Sequence, residues 1–172
     1  MRRAIGILAA AERDARAADD TVILDFEQRQ RIQGTFVSLK GIKVELDFPQ
    51  SVRLHTDDLL VLDDGTRVEI VAQPEPLIEV RAADLPSLAR IAWHLGDRHT
   101  PVQVLPNRIR LRRDAAMETL LEGLGARLAL IEAPFEPEGG AYEARHAHDH
   151  HRHDHGHDHA HHGCHHHHHD HE

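Results

Sequence analysis

The sequence predicts an α+β protein in three parts: a small all-β domain over residues 1–73, a mixture of strands and helices over residues 74–143, and a tail over residues 144–172 without a fold of its own. Three observations predict it. Apolar residues alternate up to Gln73, they switch between alternation and a spacing near 3.6 beyond Pro76, and no Leu, Ile, Val, Phe or Met follows Phe135.

In the first part, the charged and then apolar start from Met1 to Ala10 is interrupted by Glu12-Arg13-Asp14 before a leader-like hydrophobic stretch accumulates, so it reads as a first strand. Val22, Ile23, Leu24 and Phe26 make a short apolar run, and Phe36, Val37 and Leu39 lead into a turn at Lys40-Gly41. Ile42, Val44, Leu46 and Phe48 then alternate with Lys43, Glu45 and Asp47, the period of a half-buried strand. Residues 59–62 and 68–71 flank Asp63-Asp64-Gly65-Thr66, a hairpin whose Asp-Gly pair accepts the positive φ of a tight turn. A small open sheet of this kind has exposed edges, to which a partner's peptide could add as a strand. Arg13, Asp19, Asp20 and His55 are scattered along it, and His55, between Leu54 and Thr56, reads as a surface residue with no role.

Gln73-Pro74-Glu75-Pro76 reads as a short, stiff hinge at a domain boundary. Beyond it, residues 77–80 form a strand. Asp84 caps a helix whose Leu85, Leu88, Ile91, Ala92 and Leu95 share one face, and Gly96 stops it. Residues 101–105 form a strand, Pro106-Asn107 a turn, and Ile109 and Leu111 alternate with Arg108, Arg110 and Arg112 in a third strand. A second helix starts near Asp114, buries Met117, Leu120, Leu121 and Leu124, and ends at Gly125; residues 128–131 complete the set. The order βαββαβ is that of a ferredoxin-like domain, an architecture that hosts many functions and decides none.

The chemistry is concentrated in the tail. From His146 to Glu172, sixteen of 27 residues are histidine: His146, His148, His150, His151, His153, His155, His157, His159, His161, His162, His165, His166, His167, His168, His169 and His171. Near neutral pH most imidazoles keep a free lone pair and ligate borderline divalent metals. Asp149, Asp154, Asp158 and Asp170 interrupt the run, unlike an unbroken affinity tag, so the tail reads as native, disordered without metal and gathered loosely around ions with it. Such a string cannot choose among Ni, Cu and Zn by itself.

Composition excludes other classes. A formal charge of −9 and 3% aromatics argue against a nucleic-acid binder. The single cysteine, Cys164, lies within the tail, where it cannot form an intramolecular disulfide and fits a reducing cytoplasm and an occasional metal contact. No stretch approaches the roughly 20 apolar residues of a membrane span, so the expectation is a soluble cytoplasmic protein.

His99 is the second histidine signal. It stands past the first helix of the second part, in a loop stiffened by Pro101, and a two-fold axis could bring two copies of it together. His94 lies five positions earlier, about 140° around the helix, and points elsewhere.

Gly96-Asp97-Arg98-His99-Thr100-Pro101-Val102-Gln103, then Gly123-Leu124-Gly125-Ala126, then Glu132-Ala133-Pro134-Phe135-Glu136-Pro137-Glu138-Gly139-Gly140-Ala141-Tyr142 ahead of the histidines resemble the UreE family of urease accessory proteins, nickel metallochaperones of urease maturation. The resemblance covers the whole chain. It implies an N-terminal β domain with peptide-binding character, a ferredoxin-like metal-binding domain, a homodimer, and no enzymatic activity. It also implies that His99, closing the motif written Gly-Asn-Arg-His in the family, is the nickel ligand at the dimer interface. The implied partners are the urease apoprotein and the GTP-dependent urease accessory proteins, and the implied cargo is Ni2+, with Zn2+ and Cu2+ as competitors. Two departures stand out. Asp97 replaces the usual Asn, adding negative charge, and Arg110, Arg112, Arg113 and Asp114 stand where some members carry further histidines. Those arginines read instead as a solvated strand face or a docking patch for acidic partners. The implied mechanism is capture by the tail, holding by His99 from each subunit, and handover by ligand exchange, with protonation below about pH 6 releasing the ion.

Three other readings compete. A metal store would use the tail alone. A metalloenzyme needs about three fixed ligands, and outside the tail only His55, His94 and His99 are histidines. An RNA binder using Arg108, Arg110, Arg112 and Arg113 would want the aromatics this chain lacks.

Overall fold

The alternating segments become two sheets. The computed structural model describes residues 1–49 and 52–139, and Met1–Glu138 forms one unit within which everything below lies.

The first sheet contains β1 (Arg2–Leu8), β2 (Asp20–Leu24), β3 (Gln33–Val37), β4 (Lys43–Asp47), β5 (Leu59–Leu62) and β6 (Arg67–Ala72), in the order β2-β6-β5-β1-β4-β3. β1 runs parallel to β4 and β2 parallel to β6, while the other pairs are antiparallel. Val22 and Leu24 of one edge strand and Phe36 of the other share a core with Val44, Leu46, Leu60, Leu62, Val68 and Ile70. Strands at opposite ends of a sheet can share a core only if the sheet rolls. The Leu39 amide donates to the Thr21 carbonyl at 2.8 Å, tying the end of β3 to β2, so the edges are less open than alternation alone implied. In the hairpin, Gly65 sits at φ 79°, the left-handed region that favours glycine.

This part is not purely β. Phe26–Arg29 is a one-turn helix, α1, and Ala10–Glu12 a 3-10 turn. A capping box explains the helix: the Asp25 carboxylate accepts from the Gln28 amide at 2.7 Å, and the Gln28 side chain accepts from the Asp25 amide at 3.0 Å. Phe26 is therefore a helix residue rather than the end of a strand.

The second sheet contains β7 (Pro74–Arg81), β8 (Gln103–Leu105), β9 (Arg108–Arg112) and β10 (Arg127–Pro134), antiparallel in the order β10-β7-β9-β8. Helices α2 (Leu85–Asp97) and α3 (Ala115–Gly123) cover one face, where Ile91, Leu95 and Leu121 pack on Ile78, Val80, Ile109 and Leu111. The element order expected beyond residue 76 is thus observed. Leu85 is an exception to the helical stripe: at the first helical position it is 69% exposed.

The expected hinge is a strand. Pro74 pairs with Pro134 and Pro76 with Glu132 in β10. Two prolines fit there because Pro76 turns its carbonyl to the Arg113 amide, 3.2 Å away on the β9 side, so its missing N–H is one that β10 would not use. Only Gln73 separates β6 from β7.

After β10 the chain crosses back as a strap. Phe135 is fully buried, edge-on to Phe26 with ring centroids 5.2 Å apart, and shares a cluster with Leu77. Arg29, 1% exposed, donates to the Phe135 carbonyl at 2.5 Å, to Glu136 Oε1 at 2.7 Å and to the Leu54 carbonyl at 3.4 Å. The Arg53 guanidinium reaches the Pro137 carbonyl. Glu138 then donates its amide to the Val102 carbonyl at 2.7 Å and accepts from the Val104 amide at 3.2 Å.

A buried guanidinium that loses its carboxylate costs far more than the pair contributes over an apolar replacement. Glu136→Ala is expected to lower the unfolding free energy by about 3 kcal/mol in urea titrations, and the double change Arg29→Met with Glu136→Leu by much less. A double variant as unstable as Glu136→Ala would show that the loss is packing rather than charge.

Candidate functional site

His99 is placed by the way α2 ends. At the start of the helix the Asp84 carboxylate accepts from the Ser87 amide at 2.8 Å. At its end the His99 amide donates to the Gly96 carbonyl at 2.9 Å and the Thr100 amide to the Leu95 carbonyl at 3.1 Å. That paired pattern is the Schellman motif, which requires a left-handed residue just past the cap. His99 takes that conformation, at φ 53°. Helix α3 ends in the same motif, with the Gly125 amide on the Glu122 carbonyl at 2.9 Å and the Ala126 amide on the Leu121 carbonyl at 3.0 Å, and there Gly125 holds φ 77°. Glycine does this without strain; a histidine pays roughly 1–2 kcal/mol for the same backbone. Strain of this kind is kept where the side chain has a task.

The His99 side chain is exposed and lines a cavity of about 750 Å³ with Arg98, Thr100, Arg112, Arg113 and Met117. The Thr100 hydroxyl faces the Met117 sulfur at 3.9 Å. Among the described residues no group of three or more His, Cys, Asp and Glu side chains converges on a point, so His99 is a single nitrogen donor and one unit does not close a metal shell.

The other sequence candidates separate. His94 is half-buried on α2, edge-on to Trp93 with centroids 5.0 Å apart, and does not join His99. His55 is exposed, its Nδ1 3.6 Å from Asp58 Oδ2. His146 to His171 and Cys164 lie outside the described residues.

The arginines are not a simple solvated face. Arg112 pairs with Glu27 at 2.8 Å and lies over the Phe26 ring, and Arg113 pairs with Glu118 at 3.1 Å. Arg110 donates to Glu79 at 3.0 and 3.1 Å, Arg81 to the same carboxylate at 2.9 Å, and Arg108 Nε stands 3.4 Å from it. Burial alone would raise the Glu79 carboxyl, but hydrogen bonds from Arg81 and Arg110 and the charges of Arg108 and Arg110 outweigh it and hold it below the ordinary glutamate value. Arg29, Glu136 and Glu138, which set where the chain leaves this unit, carry no local pattern that sequence reading could use.

The fold and site define an α+β protein that offers one exposed, strained histidine beside a cavity; no described helix is long and apolar enough to cross a membrane. Residues 2–73 match the family described as UreE urease accessory protein, N-terminal domain, and residues 75–172 its C-terminal domain. The chain is 50% identical over 135 residues to the urease accessory protein UreE of Rhodopseudomonas palustris strain BisB18, a match covering 77% of this chain and 64% of that one. To UreE of Bradyrhizobium sp. strain ORS 278 it is 49% identical over 133 residues, covering 77% and 63%. To UreE of Chelativorans sp. strain BNC1 it is 45% identical over 149 residues, covering 87% and 91%. It thus spans just under two thirds of the first two relatives and nearly all of the third. The chain belongs to the UreE urease accessory protein family.

Two outcomes are expected. His99→Gly should fold as stably as the parent or up to about 1 kcal/mol more so in urea, because relief of backbone strain offsets the added freedom of the unfolded chain. Because the Glu79 pKa is depressed on folding, its contribution is present above the ordinary glutamate range near about 4.3 and is lost as pH falls through the lower folded value. Glu79→Gln should therefore cost about 2 kcal/mol at pH 7, with the gap from the parent narrowing in acid. A gap constant from pH 7 to 3 would refute the ionic account.

Proposed function

We propose that this chain is a nickel metallochaperone that binds Ni(II) as cargo and delivers it during urease maturation. The observation that carries the reading is His99, an imidazole held at φ 53° where α3 uses glycine. Its exposure leaves coordination positions for groups from elsewhere. Glu138, from which the chain continues into the histidine-rich segment, is hydrogen-bonded to Val102, and Val102 is three positions beyond His99 in sequence. A short tether rooted there raises the local concentration of captured ions near His99.

In this reading the chain is a cytoplasmic homodimer. Trp93, 64% exposed on the helix that ends at His99, is an apolar group of the kind a subunit interface covers and supports that arrangement. Residues 1–73 form the peptide-binding β domain, 74–143 a ferredoxin-like domain and 144–172 the capture tail; the first of these boundaries is supported by two family matches that meet between residues 73 and 75. The partners are the urease apoprotein and its GTP-dependent accessory proteins. Zn(II) and Cu(II) compete for the same imidazoles, since nitrogen donors bind Cu(II) more tightly than Ni(II). A metal store is the second reading, favoured by the lack of any converging three-ligand group among the described residues.

Calorimetric titration with Ni(II) separates the two. A chain ending at Ala144 is expected to retain about one tight ion per pair of subunits, and His99→Ala in that chain to abolish it. Loss of all tight binding on truncation would favour the store.

A further inference from the structure

Helices α2 and α3 cover one face of the second sheet, and the Leu77 end of the other face packs against Phe26 of α1 and Phe135, while Arg81 and Arg127 stand exposed at its far end. On that other face, β-strand register places Arg81 directly opposite Arg127, Glu79 opposite both Ala129 and Arg110, Arg110 opposite Gln103, and Arg108 opposite Leu105. Arg112 shares this face but has its own carboxylate in Glu27. Of the remaining guanidiniums, Arg81, Arg108 and Arg110 share the one carboxylate of Glu79, and Arg127 stands across from Arg81 with no ion pair of its own among the described residues, a local surplus of three positive charges on a chain whose formal charge is −9. Like charges directly across a strand pair are destabilising, so the Arg81 and Arg127 pairing is kept against its local cost. Two buried polar atoms here also lack a hydrogen-bond partner: Arg108 Nε, which Glu79 approaches without the required geometry, and Gln103 Oε1.

The geometry points to this face as the docking site for an acidic segment of a partner protein. Guanidinium forks match carboxylates bidentately. Arg127 on β10 and Arg108 and Arg110 on β9 are separated by one strand, about 10 Å across. That is about three residues of extended chain, so the segment carries Asp or Glu residues two or four positions apart, the even spacings that put both side chains on one face. Phosphates fit the same forks, but the aromatic rings at this face, Phe26 and Phe135, are buried and offer bases nothing to stack on, and the chain's negative charge opposes a polyphosphate backbone. The cargo-delivery reading gives such a partner a purpose; the docking face itself stands on register and charge.

The test uses the full-length chain with EDTA at low ionic strength and pH 8, where the tail imidazoles are neutral, and follows the anisotropy of a fluorescein-labelled hexaglutamate. Binding is expected to be at least about tenfold weaker in Arg81→Ser with Arg127→Ser, to change less than about threefold in Arg127→Lys, and to fall away in about 0.5 M salt. Circular dichroism of the double variant, matching the parent, excludes unfolding as the cause. Absent binding, equal affinity of parent and double variant, or tighter binding of a labelled hexauridylate would overturn the proposal. A nickel titration of the double variant, expected to match the parent, keeps a failure here distinct from a failure of the nickel reading.

Discussion

A buried charge holds the molecule's two sheets in one arrangement. The Arg29 guanidinium, taken out of water, would cost several kcal/mol if left alone, so its environment is constrained to supply acceptors. Two come from the strap, the Phe135 carbonyl and Glu136, and the third is the Leu54 carbonyl of the first sheet's core region. Because Glu136 also accepts from the Thr56 amide, one carboxylate serves a side chain and a backbone donor at once. The strap cannot move without exposing the cation to an unpaired interior. Its position in turn delivers Glu138 to the edge of β8, where it is hydrogen-bonded to Val102 and Val104. The satisfaction is incomplete, since Arg29 Nε and Glu136 Oε2 are buried without partners, so a further loss of acceptors here would be costly.

The two helices of the second sheet form an internal comparison. Both begin on an aspartate, Asp84 or Asp114, that accepts from an amide in the first turn, and both end in the same two hydrogen bonds. They differ at one residue past the cap, glycine in one and histidine in the other. The difference costs stability and yields a side chain aimed outward from a fixed backbone, which is the trade expected where a group must be presented rather than packed.

Charge is distributed as unevenly as strain. The chain is acidic, yet the face of the second sheet away from α2 and α3 concentrates arginine around Glu79. A single carboxylate among several cations is strongly ionised and holds the strand register locally, while the surplus positive field extends to the solvent.

Much of this was legible in the residues. Alternation marked β4 and β9, the Asp64-Gly65 turn marked the β5–β6 hairpin, Asp84 and Asp114 marked helix starts, and Gly125 marked a helix end, because each depends on local backbone geometry. His99 and the histidine-rich segment stood out as candidate metal ligands on imidazole chemistry alone, and the structure adds for His99 the left-handed backbone that presents it. The capping box at Asp25 and Gln28 was equally local, and the apolar run to Phe26 masked it. The prolines of β7 looked like a hinge because sequence shows the lost donor and not which neighbour that donor would have faced. Only tertiary structure decided that point, along with the rolling of the first sheet, the burial of Arg29 against residues more than 100 positions away, and the gathering of arginines on one face. These are pairings between segments distant in sequence, and no local preference encodes a partner that arrives only when the chain folds.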